Sequence, residues 1–397
     1  MRSTNKYVAM TTTLILLLFW PIMAQDFESP AAAPAPQKAD PSAAEIHYLK
    51  ELARRGRSLS DQGWYVETLD GSEVLAEHQG DIAFNPASVI KIATSFAALD
   101  KLGAEYRFET SFQAAGEINT KTKTLQGDLV LASTGDPLLT TAQLNRMIQQ
   151  VGRSGVHRVT GSLVVTGPFT YASYFTTPTA IKRLEALLRK QGIRVSKSTR
   201  RGPASGKVLG TPHVSDSLQE IVWVQNAKSV NRTADRLAEA IGGPKAVRNF
   251  LVNKIGIPEK EVAISRASGL LHNRITPRGT VQLLRYLVTW LNFNNMLPQD
   301  VLPVAGMDVG TLRTRFTTVD FRGSVIGKTG TLPATEGGVS TLAGFVYTRE
   351  RGVLLFAIFN TKGDVNTYRR LQDILIKDLI AEAGGAEFSE SLRKSSN

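Results

Sequence analysis

The sequence predicts an α/β fold of the α+β type, in which strands from both ends of the chain share one sheet. Near the start, the segment WYVETLDGSEVLAEH places an Asp70-Gly71 turn between two short apolar stretches, which predicts a β-hairpin. Near the end, GSVIGKTGT and STLAGFVYTRERGVLLFAIFN have the composition of strands. Helical patterns dominate the stretch before them, up to about Asn294. Strands that flank a helical middle must pair over a long sequence distance, so one shared sheet is expected.

The first helix after the hairpin is expected to begin near Asn85 and to end at Gly103. Asn85 is a favourable N-cap, and Pro86 is a favourable first helical residue. Apolar residues from Val89 to Phe96 recur with the spacing of one buried helical face.

The stretch from about Tyr106 to Lys207 has a different character. Its segments RFETSFQAAG, GDLVLAST and HRVTGSLVVTG are typical of short strands, and helical patterns lie around Thr141–Val151 and Thr179–Gln191. The basic loop SKSTRRGPASGK closes this stretch. Much later, the amphipathic segment YRRLQDILIKDLIAEA predicts a last helix that ends at Gly384.

The N-terminal residues have the layout of a secretory signal. Basic residues Arg2 and Lys6 precede an apolar run from Val8 to Trp20, and a small residue, Ala24, follows. Residues 1–24 are therefore predicted to be a signal peptide cleaved near Ala24, with a periplasmic mature protein. An uncleaved anchor is the alternative, although the run is short for a membrane span. The Pro- and Ala-rich residues 25–44 are predicted to form a linker.

The amino-acid composition excludes several classes of catalytic and metal-binding site and indicates the kind of partner. The chain has no cysteine, which excludes a thiol nucleophile, thiolate metal ligands and disulfides. Its five histidines show no metal-ligand spacing, so no metal or cofactor is expected. The net charge of +12 indicates an anionic partner, but no nucleic-acid-binding pattern is present. An exported basic protein is instead expected to contact anionic cell wall or lipid headgroups.

The helix at Asn85 carries the first candidate catalytic motif, Ser88-Val89-Ile90-Lys91. The spacing i, i+3 places the Lys91 amine beside the Ser88 hydroxyl on one helix face. A hydroxyl is a poor nucleophile, and a desolvated lysine with a lowered pKa can take its proton. Taken alone, this pattern is weak, because Ser3–Lys6 and Ser391–Lys394 match it as well.

Two further motifs follow in order. Ser229-Val230-Asn231 precedes a helical segment, and an N-capping loop is its structural alternative. Lys328-Thr329-Gly330-Thr331 contains the chain's single Lys-Thr-Gly. On a strand, Lys328 and Gly330 face one way while Thr329 and Thr331 face the other, and Gly330 lets another backbone approach closely. Such a strand suits an extended peptide with a terminal carboxylate, whereas a simple turn between strands is the alternative.

The ordered set Ser-x-x-Lys, Ser-x-Asn, Lys-Thr-Gly is typical of β-lactamases and penicillin-binding proteins. With the segments DLVLASTGDPLL, ASGLLHNRITP and LPVAGMDVGTLRTRF, the chain resembles the penicillin-binding protein 4 type of D-alanyl-D-alanine carboxypeptidase and endopeptidase. The resemblance runs from about Gly63 to the C-terminal helix. It implies a transpeptidase-like core with an antiparallel sheet flanked by helices, formed by residues 45–105 and 207–387. It also implies a small inserted α+β subdomain at 106–206, and residues 388–397 remain as a tail.

The resemblance also implies roles for the motif residues. Ser88 would form the acyl-enzyme, Lys91 would act as its base, and Ser229 and Lys328 would relay protons. Asn231 would bind the substrate amide. The substrate-binding set would be Thr329, Gly330 and Thr331, with the threonines holding the terminal carboxylate and the Thr331 N–H completing the oxyanion hole. The implied partners are peptidoglycan stem peptides, and β-lactam antibiotics as covalent inhibitors.

Three departures from the family pattern concern the cleft. The interval between Ser88 and Ser229 is shorter than expected, which indicates that part of the insert after SLVVTGPFTYASYF is absent. Val230 stands where Asp is usual, and PATEGG lengthens the turn after KTGT. Carboxypeptidase and D,D-endopeptidase activity both remain open. The alternatives are a serine β-lactamase, whose Glu-x-x-Leu-Asn and Tyr-x-Asn elements the chain lacks, and a noncatalytic peptidoglycan-binding scaffold.

Overall fold

The computed structural model describes residues 40–172 and 176–388 of the chain. Within them the α-helices are α1 (Ala43–Arg54), α2 (Lys91–Leu102), α3 (Thr141–Arg153), α4 (Thr177–Lys190), α5 (Leu218–Lys228), α6 (Asn231–Ile241), α7 (Pro244–Asn249), α8 (Pro277–Phe293) and α9 (Val365–Glu382). The strands are β1 (Gln62–Thr68), β2 (Val74–His78), β3 (Arg107–Asn119), β4 (Thr124–Ser133), β5 (Arg158–Val159), β6 (Leu163–Thr166), β7 (Arg194–Val195), β8 (Arg200–Arg201), β9 (Lys207–Val208), β10 (His213–Ser217), β11 (Val325–Leu332), β12 (Val339–Thr348) and β13 (Gly352–Thr361).

The main sheet joins the two ends of the chain. Its strand order is β11-β12-β13-β1-β2, and all four neighbouring pairs are antiparallel. Strand β1 lies against β13, with Tyr65 opposite Ala357. Every residue of β1 is buried, because helices cover both faces of the sheet. The predicted fold, an antiparallel sheet flanked by helices and shared by the chain ends, is confirmed.

The two faces of the main sheet carry separate apolar cores. On one face, α1 and α9 pack together through residues such as Tyr48, Leu52 and Leu375. On the other face, α2, α8 and the helices before α8 bury a larger core that includes Phe96 and Leu284. Because α2 is enclosed by this core, polar side chains on it are removed from water unless they face the cleft.

Residues between α2 and α5 build a second sheet. Strands β3 and β4 form a long antiparallel hairpin, and β10 and β9 pair with β3. The short strands β5 to β8 add parallel pairs beyond β4. Helices α3 and α4 cover this sheet around an apolar core drawn from residues 112–209. The insert boundaries at 106 and 206 stay a prediction, and the second sheet itself extends to Ser217 in β10.

At the N-terminal end, helix α1 begins at Ala43, inside the predicted linker 25–44. Ser42 is its N-cap, and the Ser42 side chain accepts a hydrogen bond from the Glu45 N–H. Residue Glu45 in turn accepts the indole N–H of Trp64, which ties the helix to β1. The predicted signal peptide, most of the linker and the tail after residue 388 lie outside the described residues. Across the described ranges, every helix is too short or too polar to cross a bilayer.

Candidate active site

Ser88 lies in a 3₁₀ turn, Ala87–Ile90, which leads directly into α2. The prediction of a helix that begins near Asn85, and so includes Ser88 in its first turn, is wrong in this local detail, because the α-helix begins only at Lys91. Asn85 does act as predicted at the start of the turn, because its Oδ1 accepts the Ala87 N–H at 3.0 Å. Ala87 has a left-handed φ of 46°, which a non-glycine residue adopts only at a cost.

Contacts from distant segments hold this strained turn. Thr341 on β12 donates its hydroxyl to the Pro86 carbonyl at 2.7 Å. On another side, Gly269 approaches so closely that a Cβ there would lie 2.0 Å from the Ala87 carbonyl oxygen. Because any side chain at Gly269 would displace the turn, its glycine is required for the position of Ser88.

The Lys91 amine lies at the start of α2 and is fully buried. Its Nζ is 2.8 Å from Ser88 Oγ, 2.6 Å from Asn231 Oδ1 and 2.5 Å from the Ser268 carbonyl oxygen. A neutral amine has two N–H groups and one lone pair. Donating to Asn231 and Ser268 therefore leaves the lone pair for the Ser88 hydroxyl proton, as a general base requires.

Burial lowers the pKa of Lys91 from its ordinary value to about 7, since no bulk water solvates the cation. The nearby carboxylate of Asp235 opposes this effect and raises the pKa. Asp235 also accepts the Ser268 N–H at 3.0 Å and is paired with Arg266 at 2.9 Å. Asp235 therefore both tunes the Lys91 amine and positions the carbonyl group that accepts from it.

The second motif connects α5 to α6. Ser229 ends α5 in the left-handed region, with φ 56° and ψ 43°, and Val230 precedes α6 without a side-chain cap. The alternative of an N-capping loop is therefore not what the structure shows. Instead, Ser229 Oγ accepts from Lys328 Nζ at 2.9 Å, while the Asn231 carboxamide accepts from Lys91. The first residue of the motif therefore contacts Lys328, and its last residue contacts Lys91.

Lys328 on β11 is fully buried, and it also donates to the Thr329 carbonyl oxygen at 2.7 Å. Burial holds the pKa of Lys328 well below its usual range, and the charge of Lys91 lowers this pKa further. The two buried cations repel one another, so protonation of one amine opposes protonation of the other.

Strand β11 lies at the edge of the main sheet, and its outer edge faces away from β12. The Gly327 N–H donates outward to the Pro303 carbonyl, and the Ala305 N–H donates to the Val325 carbonyl. Backbone groups of alternate residues in an antiparallel strand point to the same edge. The N–H and C=O groups of Thr329 and Thr331 therefore point outward as well, where an extended peptide can pair with them.

The side chains of the third motif alternate as the sequence analysis expected. A Cβ at Gly330 would lie 2.1 Å from Thr341 Oγ1 and 2.7 Å from the Pro86 carbonyl oxygen, so the glycine is required for contact with the nucleophile turn. On the opposite side, Thr329 Oγ1 lies 2.7 Å from Thr311 Oγ1, and Thr331 Oγ1 accepts from Arg369 at 3.0 Å.

The lengthened turn after KTGT packs against the nucleophile turn through Glu336. This carboxylate accepts from Asn85 Nδ2 and from Arg274, both at 2.9 Å, and lies 3.3 Å from His272 Nδ1. Burial alone would raise the pKa of Glu336, but these hydrogen bonds and the Arg274 charge hold it below its usual value. Glu336 therefore fixes the position of Asn85, the residue that caps the 3₁₀ turn containing Ser88.

Several residues that touch the site were not predicted from the sequence, namely Asp235, Ser268, Thr311, Glu336, Thr341 and Arg369. Ser268 and Thr311 belong to segments quoted for the family resemblance, but no spacing rule connects any of the six residues to Ser88. They act through contacts between chain segments that are distant in sequence. The predicted residues do come together, in two hydrogen-bonded groups: Lys91 with Ser88 and Asn231, and Lys328 with Ser229. The motif Ser229-Val230-Asn231 joins the two groups along the backbone.

Comparison with known proteins identifies the family. Residues 47–170 and 166–375 match the D-Ala-D-Ala carboxypeptidase 3 (S13) family. The chain is 28% identical to the D-alanyl-D-alanine carboxypeptidase DacB of Haemophilus influenzae over 125 residues, which is 32% of this chain and 26% of that relative. A carboxypeptidase of Mycobacterium tuberculosis is 27% identical over 398 residues, covering 83% of this chain and 82% of the relative.

Solved structures show the same fold. Penicillin-binding protein 4 of Haemophilus influenzae, solved with a β-lactam, superposes with a TM-score of 0.69 at 21% identity, covering 85% of this chain and 99% of that chain. A predatory peptidoglycan endopeptidase of Bdellovibrio bacteriovorus superposes with a TM-score of 0.66 at 19% identity, covering 82% of this chain and 94% of that chain. The predicted resemblance to the penicillin-binding protein 4 type, and the prediction of a carboxypeptidase-class enzyme, are confirmed. The chain belongs to the D-Ala-D-Ala carboxypeptidase 3 (S13) family.

Proposed function

We propose that this chain is a peptidoglycan-processing serine D-alanyl-D-alanine carboxypeptidase that works through an acyl-enzyme on Ser88. The observation that supports it most strongly is the buried Lys91 amine, 2.8 Å from Ser88 Oγ, with a pKa of about 7. A base with its pKa near the working pH combines the right protonation state with effective proton transfer. A scaffold protein would have no need of such a base.

In acylation, Ser88 Oγ attacks the carbonyl carbon of the penultimate D-alanine as its proton passes to Lys91. The Ser88 N–H and the outward Thr331 N–H would bind the oxygen that becomes negative in the tetrahedral intermediate. Asn231 uses its carbonyl oxygen toward Lys91, which leaves its NH₂ group free to donate to a substrate carbonyl.

When the intermediate collapses, the carbon–nitrogen bond breaks and the leaving amine needs a proton. Ser229 is placed to supply it, since its hydroxyl oxygen accepts from Lys328 at 2.9 Å and the Lys328 amine can replace the proton. The proton that Lys91 took from Ser88 then makes up the proton lost from Lys328, so that Lys91 is neutral again. Water attacks the acyl carbon, Lys91 takes a proton from that water, and Lys91 returns this proton to Ser88 Oγ as the acyl–oxygen bond breaks. The products are the shortened peptide and D-alanine.

The same Ser88 acylation accounts for β-lactam binding, because the lactam carbonyl takes the place of the peptide carbonyl. A relative in the same fold was solved with a β-lactam. The outward edge of β11 favours an extended stem peptide as the natural ligand. A cross-link would fit this edge as well, so D,D-endopeptidase activity belongs to the same proposal. A periplasmic location follows from the substrate and from the proposed signal peptide at residues 1–24.

A labelled penicillin tests this proposal. Wild-type protein should gain one covalent adduct on Ser88, located by mass spectrometry of the proteolysed product, and should release D-alanine from a D-Ala-D-Ala peptide. Ser88→Ala should lose both properties. Ser95→Ala, on the helix α2 that follows Ser88, is a matched control, because Ser95 bonds to Asn226 and Gln225 rather than to Lys91. An unmodified Ser88 in active wild-type protein contradicts the proposal. Rapid nitrocefin turnover would indicate a serine β-lactamase instead.

A further inference from the structure

One cation at the rim of the site has no place in the mechanism above. Arg369 lies on the exposed side of α9, and its guanidinium donates to Thr331 Oγ1 at 3.0 Å. Thr331 is the last residue of the KTGT motif and also carries the outward N–H proposed for the oxyanion. Helix α9 thus places the positive charge of Arg369 beside the end of β11, where a peptide would pair with the strand.

The charge of Arg369 is not neutralised by its own helix. Asp373, one turn further along α9, pairs instead with Arg315, whose Nε lies 2.8 Å from the carboxylate. Among residues 40–172 and 176–388, no carboxylate lies within ion-pair distance of Arg369. Its other side-chain bond is a 3.3 Å contact with Asn366 Oδ1. Arg315 also donates to the Arg369 carbonyl oxygen, which anchors this turn of the helix.

The contact with Thr331 also sets the role of its hydroxyl. Because an Arg369 N–H occupies a lone pair on Thr331 Oγ1, the hydroxyl hydrogen is free to donate elsewhere. Two residues earlier, on the same face of β11, the hydroxyls of Thr329 and Thr311 form a second donor group. A guanidinium beside two donating hydroxyls, open to solvent and lacking an acid, suits a carboxylate.

We propose that Arg369 binds the carboxylate carried by the leaving residue of the substrate, on the carbon that bears the departing amine. This inference rests on the proposed function. The spacing supports it. In the substrate, three bonds separate the scissile carbonyl carbon from the carboxylate carbon, and in Thr331 three bonds separate the backbone nitrogen from Oγ1. With this equal reach, a substrate whose carbonyl oxygen is held by the Thr331 N–H can extend its carboxylate to the Thr331 hydroxyl and to Arg369, which lies 3.0 Å from that hydroxyl.

The test compares two peptides that differ only at the C-terminus: diacetyl-L-Lys-D-Ala-D-Ala as the free acid and as the amide. Arg369→Ala should lower kcat/KM for the acid by roughly 10- to 100-fold, the range expected for a charge-assisted hydrogen bond. The same variant should change kcat/KM for the amide by less than about twofold, and Arg369→Lys should recover part of the loss. Arg370→Ala is the matched control, because Arg370 donates to Thr367 on its own helix.

A second pair of ligands repeats the comparison at the acylation step. The rate of Ser88 acylation by benzylpenicillin should fall in Arg369→Ala, while acylation by its methyl ester should not. Equal losses for charged and neutral ligands, or no loss for either, would overturn the role of Arg369. If wild-type protein neither cleaves peptides nor reacts with penicillin, the proposed function itself fails. Matching melting temperatures of the variants would confirm that each is folded.

Discussion

Acidification below pH 7 is expected to slow acylation of Ser88, because it protonates the amine of Lys91. A lysine in water, with a pKa near 10.5, is neutral in only about one molecule in 3,000 at pH 7. Burial lowers the pKa of Lys91 to about 7, so half of the molecules carry the neutral base at that pH. The fold therefore raises the population of active base about a thousandfold. At pH 5 the neutral fraction falls to about 1%, and acylation should be about 100-fold slower than on the alkaline plateau.

The assay is the second-order rate constant for acylation by a fluorescent penicillin, measured from pH 5 to pH 9. Wild-type protein should show a single acid limb with a midpoint near pH 7. Lys91→Ala should be slower by about 10²- to 10⁴-fold on the plateau and should lack this limb. Lys101→Ala, on the same helix, should behave as wild type, because Lys101 Nζ donates to the Ile241 carbonyl far from Ser88. A wild-type rate that is independent of pH over this range, or a midpoint above pH 9, would refute the assignment of Lys91 as base.

Two further variants test the residues that surround the base and the nucleophile turn. Asp235→Asn removes the charge that raises the pKa of Lys91, so the acid limb of the same acylation profile should move to lower pH, and an unchanged midpoint would contradict this coupling. Glu336→Gln removes an acid whose pKa is held below its usual value by Asn85 and Arg274, so the stability it contributes is present at neutral pH and is lost as the pH falls through its folded-state pKa. Thermal melting should show a loss of a few degrees at pH 7 that shrinks as the pH falls below the ordinary glutamate pKa of 4.5, and a loss that keeps its size on acidification would exclude the charge as its cause.

Several features were accessible from the sequence because they depend on neighbouring residues. The Asp70-Gly71 hairpin, the buried helix after Ser88 and the strand at Lys328 each follow from turn chemistry or side-chain periodicity. The 3₁₀ geometry of Ala87–Ile90 was missed, because contacts from Thr341 and Gly269 impose it and neither residue is near in sequence. Helix α1 was missed for a related reason, since its charged exposed side weakens the periodic signal and its stability comes from packing on α9.

By itself the sequence determined which residues are the candidates for the chemistry and their order along the chain, since a serine, a lysine and a Lys-Thr-Gly segment need no tertiary contact to be recognised. Only the tertiary structure decided how those groups behave. The pKa of Lys91 depends on burial by segments from the whole domain, and one of its partners, Asn231, lies 140 residues away. The position of Arg369 beside Thr331 likewise requires α9 to pack against the sheet. Desolvation and charge act through space, so a pattern along the chain cannot contain them.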